Sequence, residues 1–133
     1  MPGVVLVDSC VWIRLLRAGL DPVRELTARM EDTDLATCGM VRIEVLRGVG
    51  NRRVHDALRT FFDVMQNSPT DNRLWEEAAE VAWQLGRRGL HPPAQDIVIA
   101  ACARRIGAAV LTHDNHFHDI PGVSVLSDLD QLS

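Results

Sequence analysis

The sequence predicts an α/β fold, a three-layer sandwich whose mostly parallel central sheet is flanked by helices. Two runs, GVVLVDS near the start and AAVLTHD near the end, are β-branched, apolar and closed by an acid, the pattern of strands covered on both faces. Between them lie segments at helical period, and strands that alternate with helices favour right-handed parallel crossovers. The 133 residues are expected to form one domain, 1–133, long enough to bury a core without staples.

The first strand is expected over residues 3–8, followed by the helix CVWIRLLRAG with Gly19 as its stop. Asp21 and Pro22 suit a helix start and introduce PVRELTARMED. DLATCG reads as a short strand or loop, and MVRIEVLRGV as a helix from about 40 to 48. RRVHDALRTFF is amphipathic, and a short strand and turn fall within 63–70. Asp71 opens the helix NRLWEEAAEVAWQLGRRG, closed by Gly86 or Gly89. After the loop His91-Pro92-Pro93, AQDIVIAACARRIG is the most apolar helix and is expected to be buried on most sides. AAVLTHD and GVSVL complete the strands, and the tail DLDQLS carries no clear signal.

Composition removes several function classes. The chain has no lysine, and all 14 of its basic residues are arginine, which excludes a P-loop NTPase and Schiff-base chemistry. Arginine suits bidentate phosphate contacts, but a GC-rich coding sequence would give the same bias, and both readings stand. Net charge is −4, which does not advertise nucleic-acid binding. Cys10, Cys38 and Cys102 are far apart and lie in apolar stretches, so they read as buried free thiols rather than a disulfide or zinc framework. No apolar run approaches the ~20 residues of a membrane span, and the N-terminus lacks signal-peptide features, so a cytoplasmic protein is expected.

Four acids stand out. Asp8 and Asp114 end strands, and parallel neighbours would project both from the same sheet edge. Glu44 interrupts an otherwise apolar helix, and Asp96 opens the most apolar one. Each has a structural alternative: helix capping for the aspartates, a narrow solvated stripe for Glu44. Together they would repel, by about 4 kcal/mol per pair at 4 Å and an effective dielectric near 20, unless a hard divalent cation offsets the charge. One or two such ions would activate water for phosphodiester displacement.

At VDSCVWI, RIEVLRG, QDIVIAACA and LTHDNHF the chain resembles the PIN-domain ribonucleases, specifically the VapC-like toxins of type II toxin–antitoxin systems. The order and spacing of these segments cover essentially the whole chain. The resemblance implies a PIN-like fold and a Mg²⁺-dependent endoribonuclease, with Mn²⁺ as substitute. It also implies a homodimer, an RNA substrate and a cognate antitoxin whose C-terminal segment occupies the acidic cleft. It assigns Asp8, Glu44, Asp96 and Asp114 to catalysis and metal binding, with Ser9 and Thr112 as the small hydroxyl positions beside the first and last acids. Glu44 would ligate the metal or orient the attacking water. Where the family often carries another acid after the last motif aspartate, Asn115 and His116 stand, with Asp119 as a substitute.

Arg14, Arg42 and Arg47 lie near these motifs and would contact RNA phosphates, against the plainer reading of a solvated helix face. Trp12, Trp75 and Trp83 read as core or dimer-interface residues. Two rivals remain open: a zinc hydrolase using His113, His116 and His118, and a catalytically weak module whose acidic cleft docks a basic partner. A phosphotransfer receiver or aspartyl-phosphate phosphatase is disfavoured by the missing lysine.

Overall fold

Val5, Leu6 and Val7 are fully buried because their strand, β1 (Val4–Val7), is the middle one of five. The structure is a computed structural model that describes residues 3–29 and 32–129. β1 leads into α1 (Ser9–Arg17), α2 (Pro22–Thr27) and β2 (Asp34–Cys38). There follow α3 (Gly39–Leu46), α4 (Arg52–Val64), β3 (Gln66–Ser68), α5 (Asn72–Arg87) and α6 (Ala94–Arg105). β4 (Ala109–Leu111), a 3₁₀ turn at Asn115–Asp119 and β5 (Val125–Leu126) complete the described elements.

The strand order is β3-β2-β1-β4-β5 and every pairing is parallel. The chain therefore builds outward from β1 on one side, then crosses to its other side for β4 and β5. The direction of winding switches between β1 and β4, and in open parallel sheets the crevice beyond the carboxyl ends at such a switch receives ligands. Val7 pairs with Leu111, and the Asp8 N–H donates to the Leu111 carbonyl oxygen at 2.9 Å, so the residues that follow both strands emerge together.

Local chemistry explains the boundaries. Asp21, Asn51 and Asp71 accept backbone N–H bonds at the starts of α2, α4 and α5. Gly19 and Gly89 adopt φ of +75° and +78° just beyond α1 and α5, a conformation that side chains resist. From Asp96 to Ala103 every residue of α6 is buried, as its apolar sequence requires, because it packs against α3, α5, β3 and β4.

Several expectations are sharpened or corrected. DLATCG is a strand, sheltered between β1 and β3. The helix expected to reach 48 ends at Leu46, ahead of Gly48. α2 stops at Thr27; Met30 and Glu31, within the segment read as helical, and the tail 130–133 lie outside the described residues. Trp12 is core, but Trp75 and Trp83 are 45% and 59% exposed and are not, because both face outward from α5. Cys38 and Cys102 are buried free thiols, whereas Cys10 is only partly buried at the sheet edge.

Trp12 ties sheet to helices. Its indole N–H donates to the Val7 carbonyl oxygen at 3.3 Å, and its ring packs on Phe61 and Phe62 at centroid separations of 5.9 and 4.8 Å. Trp12→Ala should cost about 3–5 kcal/mol in urea unfolding, through lost burial and a residual cavity. Trp83, stacked against Arg87 at 4.9 Å on the surface, should lose less than about 1 kcal/mol on the same truncation.

Candidate active site

The acid that ends β1 is held from both sides. Oδ1 of Asp8 accepts the Ser9 backbone N–H at 2.8 Å, capping α1. Its Oδ2 accepts the Thr112 hydroxyl at 2.7 Å and faces the Cys10 thiol at 3.2 Å. The same Thr112 Oγ1 accepts the Asp114 backbone N–H at 2.9 Å, so one hydroxyl links the acids that follow β1 and β4. Across the cleft, the Ser9 hydroxyl donates to Glu44 Oε1 on α3 at 3.2 Å. Partial burial raises the proton affinity of Glu44, and the nearby Asp8 charge adds to that.

The second half of the site lies at the start of α6. Asp96 is 8% exposed, and its Oδ2 is buried without a hydrogen-bond partner. Oδ2 lies 3.3 Å from Nδ1 of His116, a contact whose geometry does not make a hydrogen bond. Nδ1 also lies 2.9 Å from Asp114 Oδ1, which accepts the His116 backbone N–H at 2.9 Å. One ligand atom from each of Asp96, Asp114 and His116 falls within 4.8 Å of the others, a group that would surround a metal ion.

Charge is crowded in this group. Burial first, then the adjacent Asp114 carboxylate and the charge of Asp8, push the Asp96 carboxyl up to about 7. Burial works against ionised Asp114 as well, but the His116 N–H, Asp96 and the His116 ring outweigh it and hold it below its ordinary value. The Asp114 charge in turn raises His116. Of the two carboxyls, Asp96 has the higher proton affinity.

The four predicted acids are thus joined in one continuous chain of contacts: Glu44 to Ser9 to Asp8 to Thr112 to Asp114 to Asp96. They are not equivalent. The tight group holds Asp96 and Asp114, while Asp8 and Glu44 border it. Among the described residues His116, not Asp119, completes that group, and His113 and His118 do not join it. The three-histidine arrangement expected of a zinc hydrolase is therefore not formed. Arg42 is engaged elsewhere, donating to Asp63 at 2.6 Å, while Arg14 and Arg47 are exposed. Sequence reasoning missed the place of Cys10 at Asp8. Its position two residues past the acid, in the first turn of α1, is the available signal. Burial and the Asp8 charge push this thiol up to about 11, so it is not a thiolate nucleophile.

These residues fit a divalent cation. The buried Asp96 oxygen lacks a donor, its neighbours are oxygen and nitrogen ligands, and their mutual repulsion is relieved by positive charge. Asp96 binds its proton more tightly folded than unfolded, from its ordinary 3.8 to about 7. Its contribution to stability is therefore present at low pH and lost as pH rises through about 7. In chelator, thermal unfolding of Asp96→Asn should vary less with pH than wild type between about pH 5 and pH 8, and the variant should be the more stable at the upper end. Parallel profiles would contradict the assignment.

Residues 5–123 match the PIN domain family. The chain is 31% identical over 112 residues to ribonuclease VapC21 of Mycobacterium tuberculosis, covering 81% of each protein. Its fold superposes on VapBC2 from Rickettsia felis, solved bound to a promoter DNA fragment, with a TM-score of 0.75 at 16% identity over 92% of this chain and 97% of that one. VapC20 of Mycobacterium tuberculosis, a sarcin–ricin loop cleaving toxin, gives 0.64 at 21% identity over 90% and 98%. At those identities the two solved structures establish the shared fold, and the relation in sequence extends it to descent. The chain belongs to the PIN domain family, alongside the VapC ribonucleases.

Proposed function

We propose that this protein is an endoribonuclease that hydrolyses RNA phosphodiester bonds with a Mg²⁺ ion, or Mn²⁺ in its place, held by Asp96 and Asp114 and bordered by Asp8 and Glu44. It acts as the toxin of a toxin–antitoxin pair. The buried, unpartnered Oδ2 of Asp96 carries the reading, since a fold keeps such an oxygen among other acids where a cation completes it. A bound divalent ion would supply charge neutralisation at the phosphate and a more acidic water. Asp96 and Asp114 hold the site's negative charge; Thr112 and Ser9 keep Asp8 and Glu44 turned into the cleft. Glu44, with its raised proton affinity and hydrogen-bond reach into the cleft, suits the task of taking a proton from the attacking water. That water forms the new P–O bond as the bridging P–O bond breaks, and the departing oxygen is protonated from solvent.

Cys10, Ile13, Arg14, Arg17 and His113 line a cavity of about 360 Å³ next to Asp8, and neither arginine forms an ion pair among the described residues. These two guanidiniums, close to Asp8, support a role for Arg14 and Arg17 in gripping RNA phosphates beside the acids. Trp75 with Ala78, Ala79, Ala82, Ile97 and Val98 forms an apolar groove between α5 and α6, which we assign to the homodimer contact. VapBC complexes among the fold's relatives support a cognate antitoxin as the restraining partner. No described helix is long and apolar enough to cross a membrane.

Mapping RNA ends after expression should reveal new cuts with wild type that vanish for Asp8→Asn and, in vitro, in chelator. Cuts that persist in the variant would refute the mechanism. In binding to single-stranded RNA by Asp8→Asn protein, Arg14→Ala and Arg17→Ala should each lower the salt slope by about 0.7, the share of one phosphate contact. Arg42→Ala, already paired with Asp63, should leave the slope unchanged.

A further inference from the structure

The 3₁₀ turn after β4 anchors His116 twice to one carboxylate. Asp114 Oδ1 accepts the residue's backbone N–H and lies 2.9 Å from its ring Nδ1. The next residue, Phe117, is fully buried and pins the turn, whereas Asn115 and Asp119 point to solvent. Nδ1 is thereby directed at the unpartnered Oδ2 of Asp96, 3.3 Å away, instead of into water. A neutral ring nitrogen presents a lone pair, and two carboxylate oxygens present more of them. Only a proton or a cation between these atoms makes the arrangement favourable.

We propose that His116 is a ligand of the catalytic cation through Nδ1, giving this site a mixed carboxylate–imidazole donor set that selects a first-row transition cation, such as Mn²⁺, over Mg²⁺. This rests on the metal-site reading above and deepens it. Mg²⁺ takes oxygen ligands in near-ideal octahedral geometry, while imidazole nitrogen suits transition ions. The tight group contains a nitrogen in place of a further carboxylate, so its preference shifts toward the transition ion. The same nitrogen lies 2.9 Å from Asp114 Oδ1, so one cation can be shared by the ring and both carboxylates.

The test is electron spin-echo envelope modulation on the full protein loaded with Mn²⁺, without RNA, together with calorimetric titration of Mn²⁺ and Mg²⁺. Wild type should show nitrogen-14 modulation from a directly bound imidazole. His116→Ala should lose it and bind Mn²⁺ about tenfold or more weakly, with a smaller change for Mg²⁺. His113→Ala should keep the modulation, and His116→Asp should narrow the gap between the two metals. His116 is exposed, so these variants are expected to fold. Mn²⁺ bound in an Asp96-dependent manner without nitrogen modulation would overturn the assignment of His116 and leave the carboxylate site standing. Absence of Asp96-dependent Mn²⁺ binding would overturn both.

Discussion

A carboxylate oxygen without a partner, buried at the head of an apolar helix, is the constraint around which this site is arranged. Asp96 sits in the first turn of α6, where the helix dipole favours negative charge, yet Asp114 and Asp8 face it and disfavour that charge. Folding alone leaves the conflict unresolved. The raised proton affinity of Asp96 expresses that conflict, and a divalent ion held there would relieve it by supplying positive charge and the missing contact. Stability is given up locally for a function that requires clustered acids, and the buried sheet and α6 supply the rigidity that tolerates it.

Topology places the parts. At the switch, β1 and β4 end side by side although 101 residues of chain separate them, and Asp8 and Thr112 occupy that junction. Thr112 then works as a spacer: one hydroxyl donates to Asp8 and accepts from Asp114, which sets the separation of two acids 106 residues apart without using either one's full hydrogen-bonding capacity. Ser9 performs the related service between Asp8 and Glu44, at the longer distances of 3.4 and 3.2 Å. Thr112 holds both partners because a hydroxyl donates and accepts at once, whereas Ser9 has one proton to share between two carboxylates.

Much of this was legible in the sequence. Strands covered on both faces cannot alternate polar and apolar residues, so VVLV and AVL announce a parallel sheet, and acids at their ends announce its functional edge. Helix caps at Asp21 and Asp71 act over three residues and are equally readable. What local patterns cannot encode is which side of α5 another element covers: Trp75 and Trp83 sit at helical spacing among apolar neighbours and are nonetheless outside the core. The same holds at the site. Four acids were identifiable by type and place, but the choice of His116 over Asp119 depends on how a five-residue turn folds back, which buried Phe117 decides. Arg42 looked available for phosphate until α4 brought Asp63 against it.

What completes the Asp96 carboxylate is tested most directly by anomalous diffraction from crystals grown with Mn²⁺. An anomalous peak in direct contact with Asp96 Oδ2 and shared with Asp114 is expected. A structure in which that oxygen accepts an ordinary hydrogen bond from protein or water, with manganese absent or bound only at other acids, would contradict it.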